Sequence, residues 1–272
     1  MHLHEWHWPV ESPRGAIALV HGAGEHCGRY EHVAKWLNGA SYAVLGQDLP
    51  GLGRSPGLRG HIDRFDDYLP VVDAIRDRLS ELYRGVPQFL YGHSMGGLIA
   101  VRWLQSHPEA QGLQGVVLTS PSLDLSLPVS PALRRIAGAL ERIAPTLRIS
   151  PEIPPQAVSR HPEVVASYGS DPLVVRKSTV RWAMEFQRGM EAARSSPAEF
   201  PAPTLILQAG DDKLVSPAAT RTFAERLHAP RKEYRAFDGY YHELHNEPER
   251  DEILGIITAF LDSTLAAPAN PA

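Results

Sequence analysis

Short apolar runs alternate along the chain with longer stretches in which apolar residues recur every three or four positions. Ala16-Ile17-Ala18-Leu19-Val20 is an unbroken apolar run, the pattern of a strand covered on both faces. Tyr42 to Leu45, Gln88 to Tyr91, Leu113 to Leu118, Thr204 to Gln208 and Lys232 to Phe237 read as further strands. Between them lie helical patterns. Glu31 to Asn38 puts Val33, Trp36 and Leu37 on one face, and Gly39 offers a stop. Phe65 to Tyr83 carries Leu69, Val72, Ile75, Leu79 and Leu82 at spacings of three and four. Leu98 to Gln105, Pro217 to Leu227 and Glu249 to Leu265 complete the series. Strands alternating with helices predict a mostly parallel central sheet with helices on both faces.

The rhythm breaks at Pro121. Prolines crowd the next stretch, at 128, 131, 145, 151, 154 and 155. Two helical patterns interrupt them: Pro131 to Ala144, with Leu133, Ile136, Ala137, Leu140 and Ile143 on one face, and a weaker one over Val174 to Arg194. A structureless loop of that length is uncommon inside a domain, so residues 121–203 read as an insertion. The expected organisation is a core made of residues 1–120 and 204–265, the insertion 121–203, and a disordered tail at 266–272, rich in Ala, Pro and Asn.

Composition narrows the function. The 272 residues carry 27 Lys and Arg against 31 Asp and Glu, a net charge of −4, which gives no purchase for a polyanion and argues against a nucleic-acid partner. Cys27 is the one cysteine, so an internal disulfide and the usual structural zinc sites are excluded. The alternation His2-Leu3-His4-Glu5-Trp6 fits an exposed strand face better than a metal site. With no apolar run near the roughly 18 residues of a membrane helix and no secretory leader pattern, a cytoplasmic protein is expected.

Gly92-His93-Ser94-Met95-Gly96 matches G-x-S-x-G, between a strand and the helix that opens near Met95. That context is what a nucleophile elbow requires: a sharp turn that exposes a serine, flanked by residues too small to clash. A serine hydroxyl needs a histidine base, itself oriented by a carboxylate. Asp211-Asp212 follows the strand Thr204 to Gln208, and His242 follows Lys232 to Phe237, in the chain order serine, acid, histidine. Asp212 is the preferred acid because it heads the segment turning toward the next helix; Asp211 stays as the competitor. His93 is a poor base for Ser94 because of its orientation in a tight elbow. An oxyanion would meet the backbone N–H of Met95 and one from His21-Gly22-Ala23-Gly24, taken as Ala23.

These elements resemble the monoacylglycerol lipase and lysophospholipase branch of the serine α/β-hydrolases. The resemblance rests on His21-Gly22-Ala23-Gly24-Glu25-His26-Cys27-Gly28-Arg29-Tyr30, Asp48-Leu49-Pro50-Gly51-Leu52-Gly53-Arg54-Ser55, the elbow through Gly97, Asp212-Lys213-Leu214-Val215, and Tyr241-His242-Glu243-Leu244-His245-Asn246-Glu247. It covers Val10 to Pro121 and Pro203 to Leu265. It implies the α/β-hydrolase fold with the insertion as a cap, hydrolysis of a small-molecule lipid ester, and no cofactor. It also implies that Glu25, Arg29 and His245 lie near a glycerol-binding end, although Glu25–Arg29 reads equally as a structural pair and His245 as a solvated residue. Cys27 stands where the family has serine; there it lowers polarity and can expose a reactive thiol.

The stripe on Pro131 to Ala144, opposite Arg134, Arg135, Glu141 and Arg142, reads in two ways. It lines an acyl tunnel or makes transient membrane-surface contact, or it packs on its own cap. Two rival functions remain. A capped serine aminopeptidase needs cap carboxylates for a substrate ammonium, with Glu152, Glu163, Glu185 and Glu191 available. A non-catalytic binding protein on the same fold would normally have lost a triad member.

Overall fold

The computed structural model describes residues 2–109, 112–127, 129–150 and 153–266. The chain opens with β1 (Glu5–Trp8), β2 (Gly15–Val20), α1 (Glu31–Gly39), β3 (Tyr42–Gln47), α2 (Leu69–Leu82), β4 (Gln88–His93), α3 (Met95–Ser106) and β5 (Leu113–Thr119). Next come α4 (Pro131–Ile143), β6 (Arg148–Ile149), α5 (Pro155–Val158), α6 (Pro162–Ser170), β7 (Ser178–Thr179) and α7 (Val180–Ser195). It closes with β8 (Thr204–Ala209), α8 (Pro217–Arg226), β9 (Lys232–Phe237) and α9 (Arg250–Ala266).

Among the described residues, seven strands form one sheet in the order β1-β3-β2-β4-β5-β8-β9. Only the β1–β3 pair is antiparallel. Every residue of β2 is buried because both faces are covered. Ala16, Ala18 and Val20 enter one core with α2 and α3, while Ile17 and Leu19 enter the other with α1 and α9. This is why the run shows no polar alternation. The edge strand β9 keeps Lys232, Glu233 and Arg235, charges that discourage pairing with another chain. Val20 pairs with Gly92, and His93 with Thr119, so the carboxyl ends of β2, β4 and β5 lie side by side.

Three expectations about elements shift. The stretch 65–83 divides into a 3₁₀ turn, Phe65–Tyr68, and α2, with Pro70 in the first helical turn. The helix expected from Val174 starts at Val180, where the Thr179 hydroxyl caps it by accepting from Trp182 N at 3.1 Å. Residues 174–179 instead bind the core: Val175 N donates to Gly24 O (2.7 Å) and Thr179 N to Gly60 O (2.8 Å). Helix α6 was hidden by reading prolines as breaks; Pro162 occupies its first turn, where a missing N–H costs nothing. Around the N-terminal histidines the strand is half-buried rather than exposed, with the His7 ring against the Tyr83 hydroxyl at 2.8 Å.

The elements between β5 and β8 attach to the core unevenly. The part from α5 to β7 is tied down: Glu243 N donates to Val158 O, Ser159 Oγ to Asn246 O, and His26 meets Asp171 at 2.9 Å. Helix α4 is held to α7 by Glu141, which pairs with Arg188 (2.7 Å) and Arg181 (3.1 Å). Leu133, Ile136 and Ile143 on α4 remain 55–80% exposed. Pro128, Pro151, Glu152 and residues 267–272 of the expected tail lie outside the described residues. Among the described residues, no helix is long and apolar enough to cross a membrane.

Candidate active site

Ser94 sits between β4 and α3 with φ 53° and ψ −118°, a backbone conformation that non-glycine residues rarely adopt. The turn closes because its neighbours lack side chains: a Cβ on Gly96 would lie 2.0 Å from Val20 O, and one on Gly92 2.5 Å from Gly96 O. The strained turn lifts the Ser94 hydroxyl to a cavity of about 370 Å³.

His242 and Asp212 reach this serine from the loops after β9 and β8. His242 Nε2 lies 2.8 Å from Ser94 Oγ, and Nδ1 lies 2.7 Å from Asp212 Oδ2. The other oxygen of Asp212 accepts from Leu214 N (2.9 Å) and Val215 N (3.0 Å). Burial alone would push the Asp212 carboxyl up, but the facing imidazole and these bonds hold it below the usual range. Burial would push His242 down; the Asp212 charge and hydrogen bond outweigh it, and the imidazole sits above its ordinary value. Asp211 is exposed, and it is Asp212 whose carboxylate faces His242.

Met95 is the first residue of α3, where helix geometry leaves the N–H without an intrahelical acceptor. Ala23 follows β2 and lines the cavity. Its loop is braced from within. Glu25 Oε1 accepts from Gly22 N (2.6 Å) and from the Tyr30 hydroxyl (2.7 Å), and Arg29 pairs with the same carboxylate. Arg29 also grips Glu243, the neighbour of His242, through two bonds of 2.7 Å. Burial would raise the Glu25 carboxyl, but Arg29 beside it brings it down to about 2.

Glu25 and His245 meet at the Tyr30 side chain, and Arg29 pairs with Glu25. None of the three lines the cavity. Glu25 and Arg29 form a buried brace between the Gly22 loop and the His242 loop. His245 is buried against the Tyr30 ring at 4.7 Å and the His93 ring at 4.8 Å. Burial and the neighbouring histidines push His245 well below its ordinary value, so it is a neutral core residue. His93 faces Thr119 through Nδ1 at 3.1 Å and is pushed down to about 4 by burial and by His242, leaving it neutral and turned away from Ser94.

Cys27 is buried, and burial followed by the charges of Asp48 and Glu25 pushes its thiol well up. The expectation of an accessible, reactive thiol fails on both counts. Cys27, His21 and Asp48 place their polar atoms within 4.8 Å of one another. The Asp48 and His21 atoms are engaged elsewhere, however. Asp48 accepts from Trp6 Nε1, Cys27 N and Arg54 N, and His21 Nε2 accepts from Leu49 N at 2.9 Å. The trio pins the Asp48–Ser55 loop rather than presenting free ligands.

The cavity wall is apolar, with Leu52, Leu140, Val175 and Trp182 among its residues, and none of the described residues lining it is a carboxylate. Glu163 and Glu191 are exposed and outside the lining, Glu185 is bonded to Phe65 N and Arg188, and Glu152 lies outside the described residues. Sequence reasoning missed Ser122. Its hydroxyl is buried 3.1 Å from Ser94 Oγ and its residue lines the cavity. The break in rhythm at Pro121 puts it in the insertion; the usable signal is its place just past β5, which pairs with the elbow strand.

A mostly parallel, helix-covered sheet that presents a serine on a strained turn defines the α/β-hydrolase class. A family model described as "Serine aminopeptidase, S33" matches residues 11–249. A phospholipase of Bacillus subtilis, YtpA, is 36% identical over 258 residues, covering 94% of this chain and 98% of that protein. Human monoglyceride lipase is 33% identical over 242 residues, 88% of this chain and 78% of that one. The crystal structure of Paleococcus ferrophilus monoacylglycerol lipase superposes with a TM-score of 0.87 at 35% identity, covering 97% of this chain and all of that one. The chain belongs to the monoacylglycerol lipase-like serine α/β-hydrolases and is an ester-hydrolysing enzyme.

Proposed function

We propose that the protein hydrolyses monoacylglycerols or related single-chain lipid esters through a Ser94–His242–Asp212 acyl-enzyme mechanism. The observation that carries the substrate reading is the cavity above Ser94: apolar, about 370 Å³, and lined by no described carboxylate. An acyl chain gains about 0.8 kcal/mol per buried methylene there, whereas a substrate ammonium, which the aminopeptidase reading needs, would be desolvated without a partner. A dead scaffold has no reason to hold a serine on a strained backbone within 2.8 Å of an imidazole.

In this mechanism Ser94 Oγ attacks the acyl carbon while His242 Nε2 takes its proton. Asp212 keeps the Nδ1 proton in place and offsets the imidazolium charge. The Met95 and Ala23 amides receive the oxyanion, each such donor contributing roughly 3–4 kcal/mol to lowering the barrier. The ester C–O bond breaks, and His242 returns the proton to the leaving alcohol. Water then attacks the acyl-enzyme, again giving its proton to His242, which returns it to Ser94 Oγ as the acyl–Oγ bond breaks and the fatty acid departs. The reading assigns 121–203 the role of a cap. The exposed apolar residues of α4 suit transient contact with an aggregated lipid surface.

The deciding experiment compares kcat/KM for a medium-chain monoacylglycerol and for a prolyl arylamide, with Ser94→Ala as the blank. A strong preference for the glycerol ester, abolished by Ser94→Ala, is expected. A preference for the amide would keep the nucleophile and overturn the substrate. Retention of more than a few per cent of activity by Ser94→Ala, in roughly the range the oxyanion hole alone cannot supply, would overturn the nucleophile.

A further inference from the structure

We infer that Ser122 is a further catalytic residue, whose hydroxyl donates a hydrogen bond to Ser94 Oγ and carries part of the charge that grows there during attack. The inference rests on Ser94 and His242 being nucleophile and base.

The direction of the 3.1 Å contact follows from counting protons. Asp212 is a carboxylate and can only accept, so His242 Nδ1 carries the proton between them. The neutral imidazole then has a bare Nε2, and the 2.8 Å contact to Ser94 uses the one proton Ser94 has. Ser94 has nothing left to donate toward Ser122. The Ser122 O–H is therefore the donor and a lone pair of Ser94 Oγ the acceptor.

The backbone holds this arrangement. Ser122 N donates to Ser94 O at 2.9 Å, so the residue grips Ser94 by both its main chain and its side chain. Ser120 turns the chain with φ 41°, and Pro121 lies against Gly97, where an added Cβ would come within 2.9 Å of the proline ring. Ser122 is 1% exposed, so bulk water does not compete for its hydroxyl.

The contact strengthens where catalysis needs it. In the resting enzyme it joins two neutral hydroxyls. As the proton moves from Ser94 to His242, charge accumulates on Oγ, and a hydrogen bond to a charged oxygen is about twice as strong as a neutral one. A donor favoured more in the transition state than in the ground state raises kcat rather than lowering KM. Once Oγ has become an ester oxygen it is a weak acceptor, and the contact relaxes. Ser122 keeps its own proton throughout; no bond to it forms or breaks.

The test uses the whole protein as wild type, Ser122→Ala, Ser122→Thr and Ser94→Ala. Four quantities are read: the second-order rate of labelling by a fluorophosphonate with the labelled residue identified by mass spectrometry, kcat and KM for a short 4-nitrophenyl ester, and Tm. Ser122→Ala is expected to lower both the labelling rate and kcat by about tenfold, the upper range for one neutral hydrogen bond, with KM within twofold and Tm little changed. Ser122→Thr, which keeps the hydroxyl, is expected to recover most of the loss. Labelling and kcat within twofold of wild type in Ser122→Ala overturn the inference, whatever happens to Tm. A rise in KM with unchanged labelling also overturns it, since Ser122 would then act on substrate alone. Wild type that is not labelled at Ser94 would instead overturn the triad reading, and this inference with it.

Discussion

Replacing Arg29 by Met separates the brace from the chemistry. Arg29 lies between two carboxylates, Glu25 and Glu243, whose side chains are 3% and 4% exposed. Its guanidinium also covers the Tyr168 ring at 4.7 Å. Methionine keeps much of the stem's bulk but leaves both carboxylates facing each other without a cation. Removing one member of a buried ion pair costs about 3–5 kcal/mol, chiefly through the charge left behind. Gly22 N and the Tyr30 hydroxyl still donate to Glu25, and Asn246 Nδ2 to Glu243 at 2.8 Å, so the lower end applies. At 2–4 °C per kcal/mol for a chain near this size, Tm should fall by about 6–12 °C.

The pH dependence gives the sharper test. In the wild type Glu25 is held down to about 2, below the ordinary 4.5. Its share of stability is complete above pH 4.5 and is lost as pH falls from there toward 2. Without Arg29 the largest opposition to burial is gone, only the weaker lowering influences such as the Tyr30 hydrogen bond remain, and the carboxyl is expected to move above 4.5. The variant should then gain stability as pH falls toward 4.5, so the Tm deficit against wild type must shrink between pH 7.5 and pH 5. Thermal unfolding at those two pH values decides it. A deficit under 2 °C, or one equal at both, would refute the picture of a charged brace.

Three further outcomes follow from the same geometry. Asp212→Asn should lower kcat by about 10³–10⁴-fold through loss of the imidazole's orientation, while Asp211→Asn stays within about twofold, as exposed substitutions generally do; steady-state kinetics on a soluble ester distinguish them. Because His242 sits above its ordinary 6.5 and must be neutral to act as base, kcat/KM should rise with pH through an apparent value above 6.5; a midpoint at or below 6.5 would contradict the Asp212 pairing. Ile143→Glu, at an exposed position outside the cavity lining, should raise KM several-fold on vesicle-borne monoacylglycerol by removing apolar contact, and leave kcat on a short soluble ester within about twofold; equal losses on both substrates would point to cap folding instead.

The core and the strand ends that carry Ser94, Asp212 and His242 were legible in the sequence because each depends on local rules. β2 announced itself as an unbroken apolar run since it is buried on both faces, and the elbow did so since Gly92 and Gly96 admit no side chain. What was not legible depended on partners far apart in the chain. Glu25, Arg29 and His245 were placed by resemblance, and a motif carries no information on which way a charged side chain turns. Glu243, which turns Arg29 inward, lies 214 positions away. A proline break hides Ser122, which follows Pro121 directly and bonds Ser94 through its backbone N–H. The same reading hid α6, whose proline starts a helix.

The two kinds of fastening divide the labour of the protein. Each group the reaction would use is fixed by buried hydrogen bonds that converge from separate elements: Gly22 through Glu25, His242 through Asp212, and the His242 loop through Arg29 and Val158. Such bonds, sheltered from water, hold positions to a fraction of an ångström and are costly to break. Helix α4 is fastened by Glu141 to the half-exposed Arg188 and to Arg181, while its apolar residues face either the cavity or solvent. Partly solvated charge pairs hold weakly. An apolar stripe left uncovered gains from any lipid brought against it. Rigidity is thus concentrated where proton transfer needs fixed distances. On the proposed function the weaker fastening lies where an acyl chain would enter, and lipid covering Leu133, Ile136 and Ile143 would recover the cost of leaving them in water.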